Sequence, residues 1–235
     1  MAPVCRVTYL ELVRRTAQES GTIPDGQAPA SVQQGGRAGL VATWVRQAWL
    51  DIQNAQASWL WMRDEWTGAL EAGRDRYSPA DLGAERFGEW LHEDEDGLPL
   101  TTIYLGTPAD EARLHRVDWL RMRSRFGMGD QTLERPGRYA VDPQQRLVFH
   151  PMPDAAYTVR GLYRRGPQTL TEDGDTPEMP ERFHFLIVLR ALLSLATYDE
   201  APNQMMVWQM QEGRLMGDLR RDQLPMMRLA GGPLA

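Results

Sequence analysis

Lysine is missing from this 235-residue chain: all 26 basic residues are arginine. Either genomic base composition explains this, or the planar, bidentate contacts arginine makes at partner interfaces do. A single cysteine, Cys5, excludes an internal disulfide framework and any all-cysteine metal site. Four scattered histidines, His92, His115, His150 and His184, lack a paired ligand spacing, so neither a metal nor a cofactor is expected. The longest apolar run, residues 185–196, is too short for a bilayer and is interrupted by Arg190, so no membrane partner is expected. The start of the chain has a capped helix where a secretory leader would have a basic and then a long apolar stretch. An excess of acid, formal net charge −6, argues against a protein that reads nucleic-acid sequence.

What is present reads as helices at both ends and strands between them. Thr8-Tyr9-Leu10-Glu11 fits a capping box, which predicts a helix from Thr8 to about Glu19, ended by Gly21. Residues 22–36, rich in Pro, Gly, Gln and Ala, form a loop. Val41, Val45, Ala48, Ile52 and Ala55 recur at spacings of three and four, predicting a helix over 37–57 about 30 Å long. Residues 65–70 read as a strand, with Gly73 at a turn and Tyr77 on the returning strand. Residues 79–82 and 86–91 look like short helical turns, 92–97 an acidic loop and 100–104 a strand. Thr107-Pro108 predicts a helix running to about Arg125, stopped by Gly127 and Gly129. Residues 138–141 and 146–149 flank a hairpin turn, and 157–164 alternate with period two. A helix over 180–198, apolar almost all round at 185–189, belongs at the centre of a core. Pro202 separates it from a last helix, 203–222, with Met205, Trp208, Leu215 and Leu219 on one face.

These elements predict an α+β chain: a helical bundle formed by the N- and C-terminal helices (1–58 and 181–222) with an inserted small antiparallel β module. The insert, 59–180, carries one helix, and 223–235 form an extended tail.

The chemistry is sparse. There is no nucleophile elbow, P-loop or dinucleotide-binding glycine pattern, so no catalytic residue is assigned. The clusters 93–96 and 172–175 lack the spaced ligands of a calcium loop and read as solvated, or as lining a channel that carries DNA. Trp44, Trp49, Trp59, Trp61 and Trp66 are either core or subunit-interface anchors. Met205, Met206, Met210, Met216, Met226 and Met227 fit core packing in part and an adaptable partner surface in part.

Six stretches carry a likeness. They are Tyr9-Leu-Glu-Leu-Val-Arg-Arg-Thr-Ala-Gln-Glu-Ser-Gly21, Trp44-Val-Arg-Gln-Ala-Trp-Leu-Asp-Ile-Gln53, Trp59-Leu-Trp-Met-Arg63, Tyr157-Thr-Val-Arg-Gly-Leu-Tyr163, Pro180-Glu-Arg-Phe-His-Phe-Leu-Ile-Val-Leu-Arg-Ala-Leu192 and Tyr198-Asp-Glu-Ala201. In order and spacing the chain resembles the head-to-tail adaptor (connector) proteins of tailed bacteriophages, from about Thr8 to Asp222. The resemblance implies a virion structural protein, not an enzyme: a homo-oligomeric ring, commonly dodecameric, in the neck between portal and tail. It implies the portal protein and a downstream tail protein as partners, assembly in the host cytoplasm, and genomic DNA passing through the lumen without sequence-specific binding. A C-terminal extension that docks into the portal points to Arg220, Arg221, Leu224, Met226, Met227 and Leu229. Two other readings stay open: a phage-associated lytic hydrolase using carboxylates such as Glu65, Asp81 or Glu85, and a generic helical interaction module.

Overall fold

A computed structural model describes residues 7–21, 28–127, 129, 131–200 and 202–225. The fold is mixed helix and sheet, in two compact units. The described residues up to Met62 and from Pro167 onward make one; those of Arg63–Gly166 make the other.

The first unit is helical. Helix α1 (Tyr9–Glu19) starts on Thr8, whose hydroxyl accepts from the Glu11 amide while the Glu11 carboxylate accepts from the Thr8 amide. Two orphan amides are thus satisfied at the helix start. Gly21, in the left-handed region at φ +62°, follows its end. Helix α2 (Gly36–Asn54) presents Val41, Val45, Trp49 and Ile52 inward. A 3-10 turn, Pro180-capped at Glu181–Phe183, leads into α4 (Phe185–Tyr198), and α5 (Pro202–Gln223) closes the unit. Helix α4 packs against α1, α2 and α5, which is why its apolar residues run almost all round. Leu186, Ile187, Val188, Leu189 and Leu192 are fully buried, each contributing about 1.5–3 kcal/mol over exposure. Arg190 escapes this core by pairing with Glu212 of α5 at 2.9 Å.

The segments flanking the second unit also belong to this core: Trp59, Met62, Leu170 and Met179 are buried in it. The Trp59 indole donates to the Ile52 carbonyl at 3.0 Å, and the Trp49 indole to Gln168 at 3.2 Å. The side chain of buried Gln53 accepts from the Gln168 amide at 2.7 Å and donates to the Gln168 carbonyl at 2.9 Å, so both backbone groups of Gln168 are satisfied.

The second unit holds two sheets. In the first, β9 (Thr158–Arg165) is central. It pairs along its whole length with β1 (Arg63–Ala69) on one side. Its other edge is shared by β3 (Phe87–Leu91) and β4 (Thr102–Tyr104), and β4 also pairs with β5 (Ala112–Arg113). The second sheet orders β2 (Arg76–Tyr77), β8 (Leu147–His150), β7 (Arg138–Val141) and β6 (His115–Arg116). Pairing between these strands is antiparallel except for β6 and β7, which run parallel. That pairing needs a crossover, and the chain between them supplies one containing helix α3 (Trp119–Phe126). Trp66, Trp90, Ile103 and Val159 from the first sheet and Tyr77, Tyr139, Leu147 and Phe149 from the second form one core.

Three local expectations are corrected. Residues 86–91 are not a helical turn: 87–91 are β3, held to β9 with a bulge at Gly88, where a Cβ would lie 2.9 Å from the Arg164 carbonyl. The helix expected over 107–125 is broken into a 3-10 turn (Pro108–Asp110), β5, β6 and only then α3. Asp118 caps α3 by accepting from the Arg121 amide, Glu111 is drawn to Arg160, and Leu114 is buried in the sheet core. Tyr77 does not return beside 65–70; β2 pairs with β8 in the other sheet. The hairpin at 142–145 is as expected, with the Asp142 carboxylate accepting from the Gln144 and Arg146 amides.

Candidate functional site

The carboxylates considered for catalysis do not converge. Asp81 accepts from the Ser78 amide and hydroxyl, each at 2.7 Å, and from Arg74 at 2.8 Å. Those Ser78 bonds, with Arg74 behind them, hold its carboxyl below the usual range, the state of a turn cap and not of a proton donor. Glu65 is exposed on β1 opposite Leu162, and Glu85 contributes only its backbone carbonyl, to the Tyr163 hydroxyl at 3.0 Å. Among the described residues no three His, Cys, Asp or Glu side chains gather as a metal would require, and no helix is long and apolar enough to cross a membrane.

Two of the histidines, His184 and His92, are held by hydrogen bonds within the fold. His184 lies in the helical core with Nε2 2.9 Å from the Met179 carbonyl. His92 accepts or donates at 3.0 Å to the Tyr139 hydroxyl, which Thr101 also reaches at 3.1 Å. Burial, with the Arg116 charge second, pushes His92 down to about 4, so the imidazole is neutral near neutral pH.

In the cluster 172–175 the carboxylates of Asp173 and Asp175 have partners within the fold. The Asp173 carboxylate accepts from the Ser31 hydroxyl at 3.1 Å and the Val32 amide at 2.7 Å. The Asp173 and Asp175 carbonyls take the Leu10 and Tyr9 amides, orphan donors of the first turn of α1. Of the tryptophans, Trp49, Trp59 and Trp66 are core; Trp44 sits half-buried against Tyr198 at 5.4 Å, beneath Arg37.

The portal-docking residues expected from the sequence divide. Arg220 and Arg221 are exposed on the last turn of α5, and Arg221 pairs with Asp218. Leu224 packs against the helical core. Asp222, bonded to Gln223 and paired with Arg182, is held below the ordinary carboxyl range. Met226, Met227 and Leu229 lie outside the described residues. The helix reaches Gln223, one residue into the stretch expected to be extended.

One charged surface escaped the sequence reading. Several arginines of the second unit are paired: Arg74 with Asp81, Arg135 with Asp110, Arg146 with Asp142, and Arg160 with both oxygens of Glu111. Arg113, Arg116, Arg121, Arg123, Arg125 and Arg138 are all exposed, and among the described residues none of the six forms an ion pair. Arg121, Arg123 and Arg125 stand on α3 with the exposed Leu120, while Arg113, Arg116 and Arg138 lie on β5, β6 and β7. Beside α3 a cleft of about 550 Å³ is walled by Trp119, Phe126, Arg76 and His150. The signal was the string Trp-Leu-Arg-Met-Arg-Ser-Arg-Phe, hidden because it was read as the end of a longer helix. A second groove, about 430 Å³, lies on the first sheet, bounded by Glu93, Glu95, Leu91, Leu100 and Leu162, with Arg63 also on its wall.

Among the described residues the arrangement offers charged and apolar surfaces. No curated protein matches the chain. The family model of the SU10 adaptor protein matches residues 7–234, nearly its whole length. The chain belongs to the SU10 adaptor protein family, a family of bacteriophage head-to-tail adaptors.

Proposed function

We propose that copies of this chain form a closed ring, commonly twelvefold in such adaptors, in the virion neck. The ring binds the portal on one side and a downstream tail protein on the other, and genomic DNA passes through its lumen without sequence-specific binding. Assembly takes place in the host cytoplasm. In this reading the terminal helices (1–58 and 181–222) form a bundle that builds the ring body, the insert 59–180 provides lateral and tail-side surfaces, and 223–235 dock as a tail into the portal.

The family match across 7–234 carries the reading. Further support comes from the last turn of α5, where Leu224 rests on the helical core while Arg220 and Arg221 face solvent at the start of the tail. Such a turn presents two guanidinium groups without giving up its own packing. The formal net charge of −6 suits a wall past which DNA slides. A closed ring uses two different faces of each subunit, related by a rotation that returns on itself.

Mass photometry of the purified chain mixed with its cognate portal tests this. The expected result is a discrete species of the portal mass plus a full complement of this chain. A portal whose mass is unchanged at excess chain overturns the reading.

A further inference from the structure

We infer that the arginine face on α3 is one half of the contact between adjacent copies, and that its other half is the acidic turn at 93–98 of a second copy. The inference rests on the ring reading above and names the surfaces that would close it.

Three observations carry it. First, Arg121, Arg123 and Arg125 of α3 are exposed and form no ion pair among the described residues, while Arg135, Arg146 and Arg160 of the same unit are paired. A basic face left unpaired in an acidic chain is an electrostatic vacancy that an acidic partner fills. Secondly, the face is amphipathic. Leu120 is 71% exposed at its centre, with Trp119 half-buried beside it. Arginine around an apolar anchor is the composition of a protein interface, whereas a phosphate backbone offers nothing for Leu120 to bury against.

Thirdly, the chain carries the complement. Residues 93–98 are exposed and read Glu-Asp-Glu-Asp-Gly-Leu. The turn is preorganised: the Asp94 carboxylate accepts from the Asp96 and Leu98 amides at 2.9 and 2.8 Å, and the Leu98 carbonyl accepts from the Asp94 amide. Glu93 and Glu95 form no ion pair among the described residues, and Leu98 is 45% exposed. Acid flanking an exposed leucine mirrors arginine flanking Leu120. The acidic groove is walled by Leu91 and Leu162 of the first sheet, and the arginine cleft by residues of α3 and the second sheet, with no residue in common. Two different surfaces of opposite sign make a heterologous contact, the kind that propagates around a ring.

Charge exchange in the full-length chain tests the pairing. One variant is R121E/R123E/R125E; the other is E93R/E95R, which leaves the capping Asp94 in place. All five positions are exposed, so both variants should keep the wild-type circular dichroism and melting temperature. Sedimentation velocity at low salt should show wild-type self-association, at least tenfold weaker in either variant alone and restored when the two are mixed in equal amounts. Restoration is diagnostic, because in the mixture each reversed helix meets a reversed turn, and each native helix a native turn.

Wild-type association that neither variant disturbs overturns the pairing and leaves the ring reading standing. A wild-type chain that stays monomeric at every salt and concentration also overturns it. Loss of duplex-DNA binding in the arginine variant, with self-association intact, assigns the face to phosphate and overturns it too. A neck that contains no repeated copies of this chain overturns the ring reading and the pairing with it.

Discussion

The indole of Trp66 on β1 lies across Gly161, its cross-strand partner on β9, so closely that a Cβ on Gly161 would sit 2.9 Å from the ring. Trp66 is buried and meets Trp90 edge-on at 5.3 Å, so the ring has nowhere to retreat. Gly161→Ala should therefore cost about 1–3 kcal/mol by overpacking, although alanine suits a strand interior better than glycine does. Urea unfolding measures the difference. A variant as stable as the parent would show that the Trp66 pocket is loose.

Leu189 is the centre of the helical core and has no exposed surface. Leu189→Ala should lose about 2–5 kcal/mol, the removed methyl groups plus the cavity left behind. Leu189→Asp should abolish folding, because nothing nearby pairs a buried carboxylate. Far-UV circular dichroism and soluble yield report both. A folded aspartate variant would contradict the position assigned to α4.

His92 ties stability to pH. In the folded chain it takes its proton only near pH 4, while an unfolded histidine does so near 6.5. The unfolded state thus binds more protons between those values, and stability is full above about pH 6.5 and lost as the pH falls toward 4. His184 and His150 are lowered in the same direction by burial and add to the slope. His92→Gln, which keeps an acceptor for Tyr139, should flatten the slope without removing it. Denaturant midpoints at pH 7.5 and pH 5 decide; an unchanged difference between them would contradict the role of His92.

Asp173 holds the loop at Ser31 and Val32 against the start of α1. Asp173→Ala leaves the Val32 amide and Ser31 hydroxyl without that partner and should cost about 1–3 kcal/mol. Thermal unfolding checks it. No change would return the 172–175 cluster to the status of a solvated loop.

Removal of residues 226–235 should weaken portal attachment far more than stability. The cut falls after Leu224, whose packing against the helical core is thereby kept. Arg220→Glu with Arg221→Glu should act the same way on attachment. Portal pull-down and melting temperature, measured together, separate the two effects; attachment unchanged by either variant would remove the docking role.

Much of the helical unit was legible because its signals are local. Thr8 and Glu11 announce the first turn of α1 within four residues, and the stripe Val41, Val45, Ile52 marks the inner face of α2. What was illegible depends on partners far away in sequence. Phe87–Leu91 has no strand signature of its own and becomes β3 because Arg164 and its neighbours on β9 offer an unpaired edge. The break after Asp110 is likewise set by Arg160 and Arg135, which capture Glu111 and Asp110 from other parts of the chain. The exposed arginines followed the same fate: they are dispersed over four elements, and the β6–β7 pairing sets Arg116 opposite Tyr139 and His115 opposite Arg138.

The most direct measurement is a cryo-electron microscopy reconstruction of the neck of the virion that carries this chain. The expected density is a closed ring of copies of this fold between portal and tail, with α3 of each copy against the 93–98 turn of the next. Particles whose portal meets the tail without this chain would contradict the central claim.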